Sequence, residues 1–240
     1  MGTLRVENLV KNFGKKCAVN HVGFIMQENE VVGLLGPNGA GKTTIFYMIV
    51  GFITPSAGNI YLNDKDISRF PMYKRAKSGI SYLPQEPSVF RKMTVENNIW
   101  AILETRNDLS IKEKQMKRDE LLDWFGIEKL RKQKAYTLSG GERRRTEIAR
   151  ALAIEPHFLL LDEPFAGIDP IAVSEIKNII KGLSDHKKIG VLITDHNAKV
   201  TLSITNRSYI IRRGEILVEG NEETLLDNAL ARQFYFGEDF

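Results

Sequence analysis

Cysteine is almost absent from this sequence, since Cys17 is the only one among 240 residues. A single thiol cannot form an intrachain disulfide, and it cannot supply the several thiolates of a Cys-based zinc site. The sequence therefore excludes a disulfide-stabilised fold and fits a reducing compartment.

Long apolar runs are also missing. None approaches the roughly 20 residues that a membrane-spanning helix needs, and residues 1–6 lack the apolar stretch of a signal peptide. We therefore expect a cytoplasmic chain that does not cross a bilayer itself.

The sequence also lacks a large excess of either charge, because 34 Lys and Arg residues are nearly balanced by 30 Asp and Glu residues, which gives a net charge of +4. The basic residues are scattered, apart from Arg143, Arg144, Arg145 and the stretch 129–134. This distribution favours solvated helix faces and a few phosphate contacts over a nucleic-acid surface. We expect no direct nucleic-acid partner.

A phosphate-binding motif is the most informative feature that is present. Residues 36–44 match G-x-x-x-x-G-K-[ST] without a mismatch, between an apolar run at 31–35 and a helix-like stretch at 45–50. The motif's glycines permit backbone torsions that leave N–H groups free for phosphate oxygens. Lys42 is predicted to reach the β and γ phosphates, and Thr43 to offer its hydroxyl to Mg²⁺. The alternative, a Gly-rich turn that only caps a helix, leaves the complete pattern unexplained.

Apolar runs alternate with helical patterns along the chain, which predicts an α/β fold with a mainly parallel core sheet. Residues 4–10, 22–26 and 59–62 are expected to be strands. The continuous apolar runs at 158–161 and 191–194 are typical of strands buried on both faces.

Helical spacing dominates from about residue 94 to 133, and a further helix is expected over 139–153. Ser110 followed by Glu113 is a capping-box pattern. We expect one domain over residues 1–240. Its parts are a nucleotide-binding core (1–86 and 156–240), an inserted helical lobe (87–155) and a C-terminal helical tail (221–240).

Acidic and imidazole groups follow the two buried strands. Asp162 ends the first run, as in the Walker B pattern, and is predicted to help hold Mg²⁺ beside Thr43. Glu163 is predicted to polarise the attacking water, because adjacent side chains at a strand end diverge. His196 follows the second run and is predicted to face the same crevice. Solvated acids and a structural histidine are the alternatives.

Residues 138–142, Leu-Ser-Gly-Gly-Glu, resemble the signature motif of the ATP-binding cassette (ABC) family, and the likeness covers nearly the whole chain. The resemblance implies a P-loop NTPase core, an N-terminal antiparallel β subdomain and an inserted α-helical subdomain. It also implies ATP hydrolysis with ATP and Mg²⁺. The implied catalytic residues are Glu163, His196, Gln85 and Lys42, and the implied metal-binding residues are Thr43, Gln85 and Asp162. The implied nucleotide-binding residues are Phe13, Gly36, Pro37, Asn38, Gly39, Ala40, Gly41, Lys42, Thr43, Thr44, Ser139, Gly140, Gly141 and Glu142.

Two of these assignments depend on the resemblance more than on the residues. Phe13 precedes a turn, so its ring can stack on adenine or pack at a hairpin end, and the residues alone leave both open. Residues 139–141 begin a helix with free N–H groups, so they can bind an anion or form an ordinary N-cap. The resemblance also implies that Asp169 belongs to the loop after Glu163.

The family resemblance further implies a head-to-tail homodimer, in which each signature motif closes on nucleotide held by the other copy. It implies two transmembrane subunits that bind through coupling helices, and hence a peripheral position on the cytoplasmic face of the inner membrane. Several segments resemble the ATPases of lipopolysaccharide exporters: 33–36, 44–48, 82–86, 89–91, 140–150, 164–167 and 237–240. In that case Phe90 and Arg91 are the residues that bind the coupling helices.

Two alternative functions remain open on the sequence. Branched-chain amino-acid importers have ATPases with similar Gly-Glu-x-Arg-Arg and Ala-Gly segments. A cassette ATPase acting on nucleic acid or ribosomes is the third possibility, but the coiled-coil arms, zinc sites or tandem cassettes usual there are missing.

Overall fold

Two β-sheets organise residues 2–237, the part of the chain that the computed structural model describes. The first sheet has the strand order β2-β1-β4-β5, and every neighbouring pair in it is antiparallel. Its strands are β1 Thr3–Phe13, β2 Lys16–Gln27, β4 Ala57–Leu62 and β5 Lys65–Asp66.

The second sheet is mixed and has the order β10-β9-β3-β8-β7-β6. Its strands are β3 Val31–Leu35, β6 Ile80–Leu83, β7 Phe158–Asp162, β8 Gly190–Thr194, β9 Arg207–Arg212 and β10 Glu215–Gly220. The strands from β9 to β6 are parallel, and only β10 is antiparallel to its neighbour. The predicted α/β fold with a mainly parallel core sheet is therefore confirmed.

Helices cover both sheets and connect their strands. They are α1 Lys42–Val50, α2 Met72–Lys77, α3 Val95–Leu103, α4 Ile111–Trp124, α5 Gly140–Leu152, α6 Pro170–Asp185, α7 Ala198–Leu202, α8 Glu222–Asp227 and α9 Ala229–Ala231. Shorter helical turns lie at Glu128–Leu130, Ala135–Thr137 and Arg232–Phe236. Within residues 2–237, none of these helices is both long and apolar enough to cross a membrane.

Strands β3, β7 and β8 are buried along their whole length, which explains why their sequences are continuous apolar runs. One face of the parallel sheet packs with α1 and the first sheet around Phe46 and Leu160. The other face packs with α3, α5 and α6 around Ile99, Ile148 and Ile176. The helices of the predicted lobe therefore share a continuous hydrophobic cluster with the sheet.

The N-terminal strands are longer than their sequence pattern predicts. Their pairing register shifts between Val6 and Leu9 and again towards Asn12, and Asn8 and His21 have positive φ angles of 47° and 48°. These irregularities interrupt the alternation of apolar and polar residues, so the pattern identifies only part of each strand.

The ends of the helices follow local capping rules. Ser110 and Glu113 form the predicted capping box at the start of α4, and the side chain of Asp169 caps α6 through the N–H groups of Ile171 and Ala172. The C-terminal helices pack on Leu35 and Leu202. Of the resembling segment 237–240, residues 238–240 lie outside the described part of the chain.

A buried arginine joins α1 to α2. Arg75 is 1% exposed, and its guanidinium donates to the carbonyl oxygens of Met48 (2.6 Å), Ile49 (2.7 Å), Ser68 (2.7 Å) and Phe70 (2.9 Å). Burial lowers the pKa of Arg75 to about 10. The carbonyls of Met48 and Ile49 belong to the last turn of α1, which would otherwise leave them without partners.

We expect the substitution Arg75→Met to lower the free energy of unfolding by about 3 kcal/mol or more, because it leaves several buried carbonyls unsatisfied. Urea unfolding followed by circular dichroism measures the change. Arg69→Met, six residues earlier and exposed, is the control and should change stability by less than about 0.5 kcal/mol. Equal stability of the two variants would contradict this role of Arg75.

Candidate functional site

The phosphate-binding motif lies between the end of β3 and the start of α1. Gly36 and Gly41 have φ angles of 152° and 110°. A Cβ at these two positions would lie 2.2 Å from the carbonyl oxygen of Ile211 and 2.7 Å from that of Ala18. Both glycines are therefore required by torsion and by space. Helix α1 has no side-chain cap and no acidic residue in its first turn, so its first N–H groups remain available to an anion.

A cleft of about 490 Å³ opens over this helix end. Its lining includes most of the predicted motif, together with Phe13 and Glu163: Phe13, Lys16, Cys17, Ala18, Asn38, Gly39, Ala40, Gly41, Lys42, Thr43, Thr44, Glu163 and Arg213. The Lys42 ammonium donates to the carbonyl oxygens of Gly36 (2.6 Å) and Pro37 (3.2 Å). Burial lowers the pKa of Lys42, although the carboxylates of Glu163, Asp162 and Asp195 oppose that shift.

Asp162 is the last residue of β7, and its side chain is 5% exposed. Both carboxylate oxygens accept hydrogen bonds: Oδ1 from the Thr194 hydroxyl at 2.6 Å, and Oδ2 from the Tyr82 hydroxyl at 3.3 Å. The next residue, Glu163, has a φ of 43°, a region that non-glycine residues rarely adopt. Its N–H donates to the carbonyl and the hydroxyl of Thr194.

Three of the predicted catalytic side chains meet at the ends of neighbouring strands. Gln85, after β6, donates through Nε2 to Glu163 Oε2 at 2.8 Å. His196, after β8, has its Nδ1 at 3.4 Å from the same oxygen and at 3.7 Å from Asp195 Oδ1. The imidazole is 62% exposed, whereas the Asp195 carboxylate is buried, and burial raises the pKa of Asp195. A proton acceptor and two polar groups that can orient a water molecule are therefore in one place.

The ring of Phe13 lines the cleft and is 51% exposed, with the Lys11 ammonium 5.3 Å from its centroid. A half-exposed ring at a cleft wall can stack on a planar base. Phe13 is the last residue of β1, directly before the turn to β2, so its exposed ring lies at a hairpin end that forms part of the cleft wall.

Sequence reasoning missed two cationic residues of the cleft, Lys16 and Arg213. Arg213 lies in the turn after β9, which is parallel to β3 and therefore ends at the same edge of the sheet. The sequence shows a basic residue in that turn. Assigning it to the phosphate-binding cleft requires knowing that β9 lies beside β3 in the sheet. Lys16 begins β2, on the other side of the turn after Phe13.

The signature residues lie elsewhere. Ser139 and Glu142 form a reciprocal capping box at the start of α5, and none of residues 139–142 lines the cleft. A Cβ on Gly141 would lie 2.6 Å from the Cβ of Ala172, so α5 approaches α6 closely at this point. The free N–H groups of this helix end therefore belong to a separate surface from the phosphate-binding motif.

The residues of the cleft fit a nucleoside triphosphate with a divalent cation. Uncapped helix N–H groups and the cations of Lys42, Lys16 and Arg213 match polyphosphate charge. The Thr43 hydroxyl lines the cleft, and the Asp162 carboxylate is held in a single orientation. Oxygen ligands of this kind, completed by phosphates and water, are what Mg²⁺ prefers.

The predicted partner-binding residues lie on a different surface, beside a groove of about 260 Å³ between β6 and the start and end of the helical lobe. The Phe90 ring is 43% exposed and stacks on the guanidinium of Arg150 at 4.8 Å. The buried Asn98 side chain bonds both the N–H and the carbonyl of Phe90. Arg91 is exposed. The backbone that presents Phe90 is therefore held rigidly by a buried amide.

Known proteins resemble this chain over its full length. The sequence profile described as ABC transporter matches residues 19–166. The lipopolysaccharide export system ATP-binding proteins LptB of Escherichia coli K12 and Haemophilus influenzae are each 50% identical over 240 residues, covering 100% of this chain and 99% of theirs. An uncharacterized ABC transporter ATP-binding protein of Rhizobium meliloti is 49% identical, covering 100% of this chain and 88% of its own.

The solved structures that resemble this chain are also ATP-binding cassettes. A nucleotide-free ATP-binding cassette from an ABC transporter is 30% identical, with a TM-score of 0.87, covering 99% of this chain and 100% of that one. A dimeric cassette bound to ADP and phosphate in a post-hydrolysis state is 25% identical, with a TM-score of 0.80, covering 91% and 98%. Proteins of this family bind ATP and work as dimers with transmembrane partners. The chain belongs to the ABC transporter family, in which it is an ATP-binding subunit that hydrolyses ATP.

Proposed function

We propose that this ATPase drives lipopolysaccharide export from the cytoplasmic face of the inner membrane, as half of a head-to-tail homodimer bound to two transmembrane subunits. The observation that carries the proposal is the 50% identity, over essentially the whole of both chains, to proteins named for lipopolysaccharide export. The phosphate-binding cleft and the meeting of Gln85, Glu163 and His196 support the mechanism.

The first step is capture of the triphosphate. Residues 36–44 surround the phosphates with backbone N–H groups, and the Phe13 ring stacks on the adenine. The Lys42 ammonium then exchanges its bonds to the Gly36 and Pro37 carbonyls for the β and γ phosphates. Because the partners it gives up are neutral carbonyls and those it gains are charged oxygens, the exchange favours binding.

Mg²⁺, when bound, neutralises the charge that develops on the phosphate oxygens. The residues that would hold it are Thr43, Asp162 and Gln85. Asp162 is suited to this role because its hydroxyl partners already hold both oxygens in place, so little conformational entropy is lost when a cation binds.

Hydrolysis requires a water molecule aligned with the γ phosphate and a group that takes its proton. Glu163 is the proposed general base, since its carboxylate is at the cleft and is already bonded by Gln85. His196 is the proposed partner for the γ phosphate, because its exposed imidazole can turn towards the cleft from the neighbouring strand end. Because Gln85 and His196 both contact Glu163, activation of the water is coupled to recognition of the γ phosphate.

One chain provides only half of each catalytic site in this proposal. Residues 139–142 lie outside the cleft of their own chain, so their helix N-terminus is free to bind phosphate held by a second copy. Two such sites in a twofold dimer close when ATP bridges them, and they open when the phosphate leaves. The lobe 87–155 transmits this movement to the transmembrane subunits through Phe90 and Arg91.

The substitution Glu163→Gln should leave ATP affinity unchanged and lower turnover at least about 100-fold, because an amide cannot accept the proton of water. Phosphate release measures turnover, and size-exclusion chromatography with ATP should show an accumulated dimer. Glu222→Gln, an exposed acid on α8, is the matched control and should retain full activity. Turnover at the unsubstituted level in Glu163→Gln would remove Glu163 from the role of base.

Alanine at Phe90 or Arg91 should spare nucleotide binding and weaken assembly with the membrane subunits about 10-fold or more, since an exposed aromatic ring and a forked cation are typical interface anchors. Recovery of the membrane subunits with tagged chain measures the loss. Met116→Ala changes another exposed apolar residue, on α4, and should leave recovery unchanged. Unchanged recovery with all three variants would reject this surface as the coupling site.

Purification of the tagged chain from detergent-solubilised membranes of its own cells tests the proposed cargo. Two membrane subunits and bound lipopolysaccharide are expected, and ATP with Mg²⁺ should release that lipid in a reconstituted system. Co-purification of a periplasmic solute-binding protein would instead indicate an amino-acid importer. Recovery of ribosomes or nucleic acid without membrane subunits would indicate the third class.

A further inference from the structure

The carboxylate of Asp162 is bonded from both sides by hydroxyl groups on the flanking strands. Thr194 is directly opposite Asp162 in the parallel register of β7 and β8, and its hydroxyl is 2.6 Å from Oδ1. Tyr82 comes from β6, on the other side of β7, and its hydroxyl is 3.3 Å from Oδ2. The two carboxylate oxygens therefore have separate donors, one from each neighbouring strand.

The position of the Tyr82 hydroxyl is set by ring packing. The Tyr82 ring makes edge-to-face contacts with Phe46, Tyr47 and Phe52, with centroid distances of 6.4, 6.3 and 5.9 Å. Such contacts fix the ring plane and hence the direction of its hydroxyl. The hydroxyl is thereby directed at the Asp162 carboxylate, to which it donates.

We propose that Tyr82 and Thr194 are positioning residues that hold the Asp162 carboxylate in the orientation needed for Mg²⁺. An ionised carboxylate has about four acceptor positions, so two hydroxyl donors leave others for a cation or its water. Partners of a metal-binding carboxylate typically change metal affinity about 10- to 100-fold when they are removed. This proposal rests on the proposed role of Asp162 in binding Mg²⁺.

The two hydroxyls differ in how specifically they act. The Thr194 hydroxyl also accepts from the Glu163 N–H at 3.2 Å, so its removal affects both acids of the site. The Tyr82 hydroxyl bonds Asp162 and also interacts with the Tyr47 hydroxyl, but it makes no bond to Glu163 or to the residues of the phosphate-binding motif. Tyr82→Phe is therefore the sharper test, because it keeps the ring and leaves the hydrogen bonds of Glu163 in place.

The experiment titrates Mg²⁺ into the full-length protein with a fluorescent N-methylanthraniloyl ATP analogue, and it also measures nucleotide binding in EDTA. Tyr82→Phe should raise the half-saturating Mg²⁺ concentration about 10-fold and leave nucleotide affinity in EDTA unchanged. Tyr209→Phe is the control. It removes a buried tyrosine hydroxyl on β9 whose partner is Arg207, and it should leave the Mg²⁺ titration unchanged.

Thr194→Val and Thr194→Ser provide a second pair, independent of the aromatic cluster. Valine should raise the half-saturating Mg²⁺ concentration, and serine should restore it, because serine keeps the hydroxyl. A Mg²⁺ titration that is identical in Tyr82→Phe, Thr194→Val and the unsubstituted protein would overturn the positioning role.

Asp162→Asn separates this proposal from the one on which it rests. If Asp162→Asn abolishes the effect of Mg²⁺ and the hydroxyl variants do not alter it, only the positioning role is rejected. If Asp162→Asn also leaves the Mg²⁺ titration unchanged, the metal-binding role of Asp162 and the positioning role that depends on it are both rejected.

Discussion

The parallel alignment of β3, β6, β7 and β8 is the constraint on which the site depends. Parallel strands end at the same edge of a sheet, and loops at that edge collect side chains from distant parts of the sequence. Here the edge brings together residues 36–44, Gln85, the pair Asp162 and Glu163, and His196. Because β3, β7 and β8 are wholly buried, the packing of the hydrophobic core fixes the positions of these side chains.

Much of this arrangement follows from local sequence patterns. Continuous apolar runs predicted β7 and β8, the phosphate-binding pattern predicted the loop before α1, and Ser110 with Glu113 predicted a helix start. These features depend on neighbours within a few residues, so a local sequence pattern is enough to predict them. The site role of Gln85 was implied only by the family resemblance, and its bond to Glu163 arises because both residues follow neighbouring strands of one parallel sheet.

Other features depend on contacts that no local pattern contains. The sequence pattern identified only part of β1 and β2 because bulges hide the alternation, and it missed the two-residue β5 and the short α7 because short elements are stabilised by their neighbours. Arg213 and the hydroxyls of Tyr82 and Thr194 are near the site through lateral strand order. Strand order is decided by packing over the whole chain, so it cannot be deduced from alternation within one strand.

Two arginines of α5 connect the cleft with the surface around Phe90. Arg144 on α5 donates to the carbonyl oxygens of Pro84, beside Gln85, and of Asp162. Arg150, two turns further along the same helix, bonds both the carbonyl and the hydroxyl of Ser88 and lies under the Phe90 ring. Helix α5 therefore contacts the strand ends of the catalytic site and the exposed aromatic ring as one rigid element.

Arg75 has a consequence for charge as well as for folding. An α-helix carries partial positive charge at its N-terminus and partial negative charge at its C-terminus, and α1 begins at the phosphate-binding motif. The guanidinium of Arg75 lies at the opposite end, on the carbonyls of Met48 and Ile49. It compensates the negative pole of α1, so the positive pole acts on the cleft with less opposition. A residue that stabilises the fold far from the nucleotide thus also shapes the electric field that the phosphates meet.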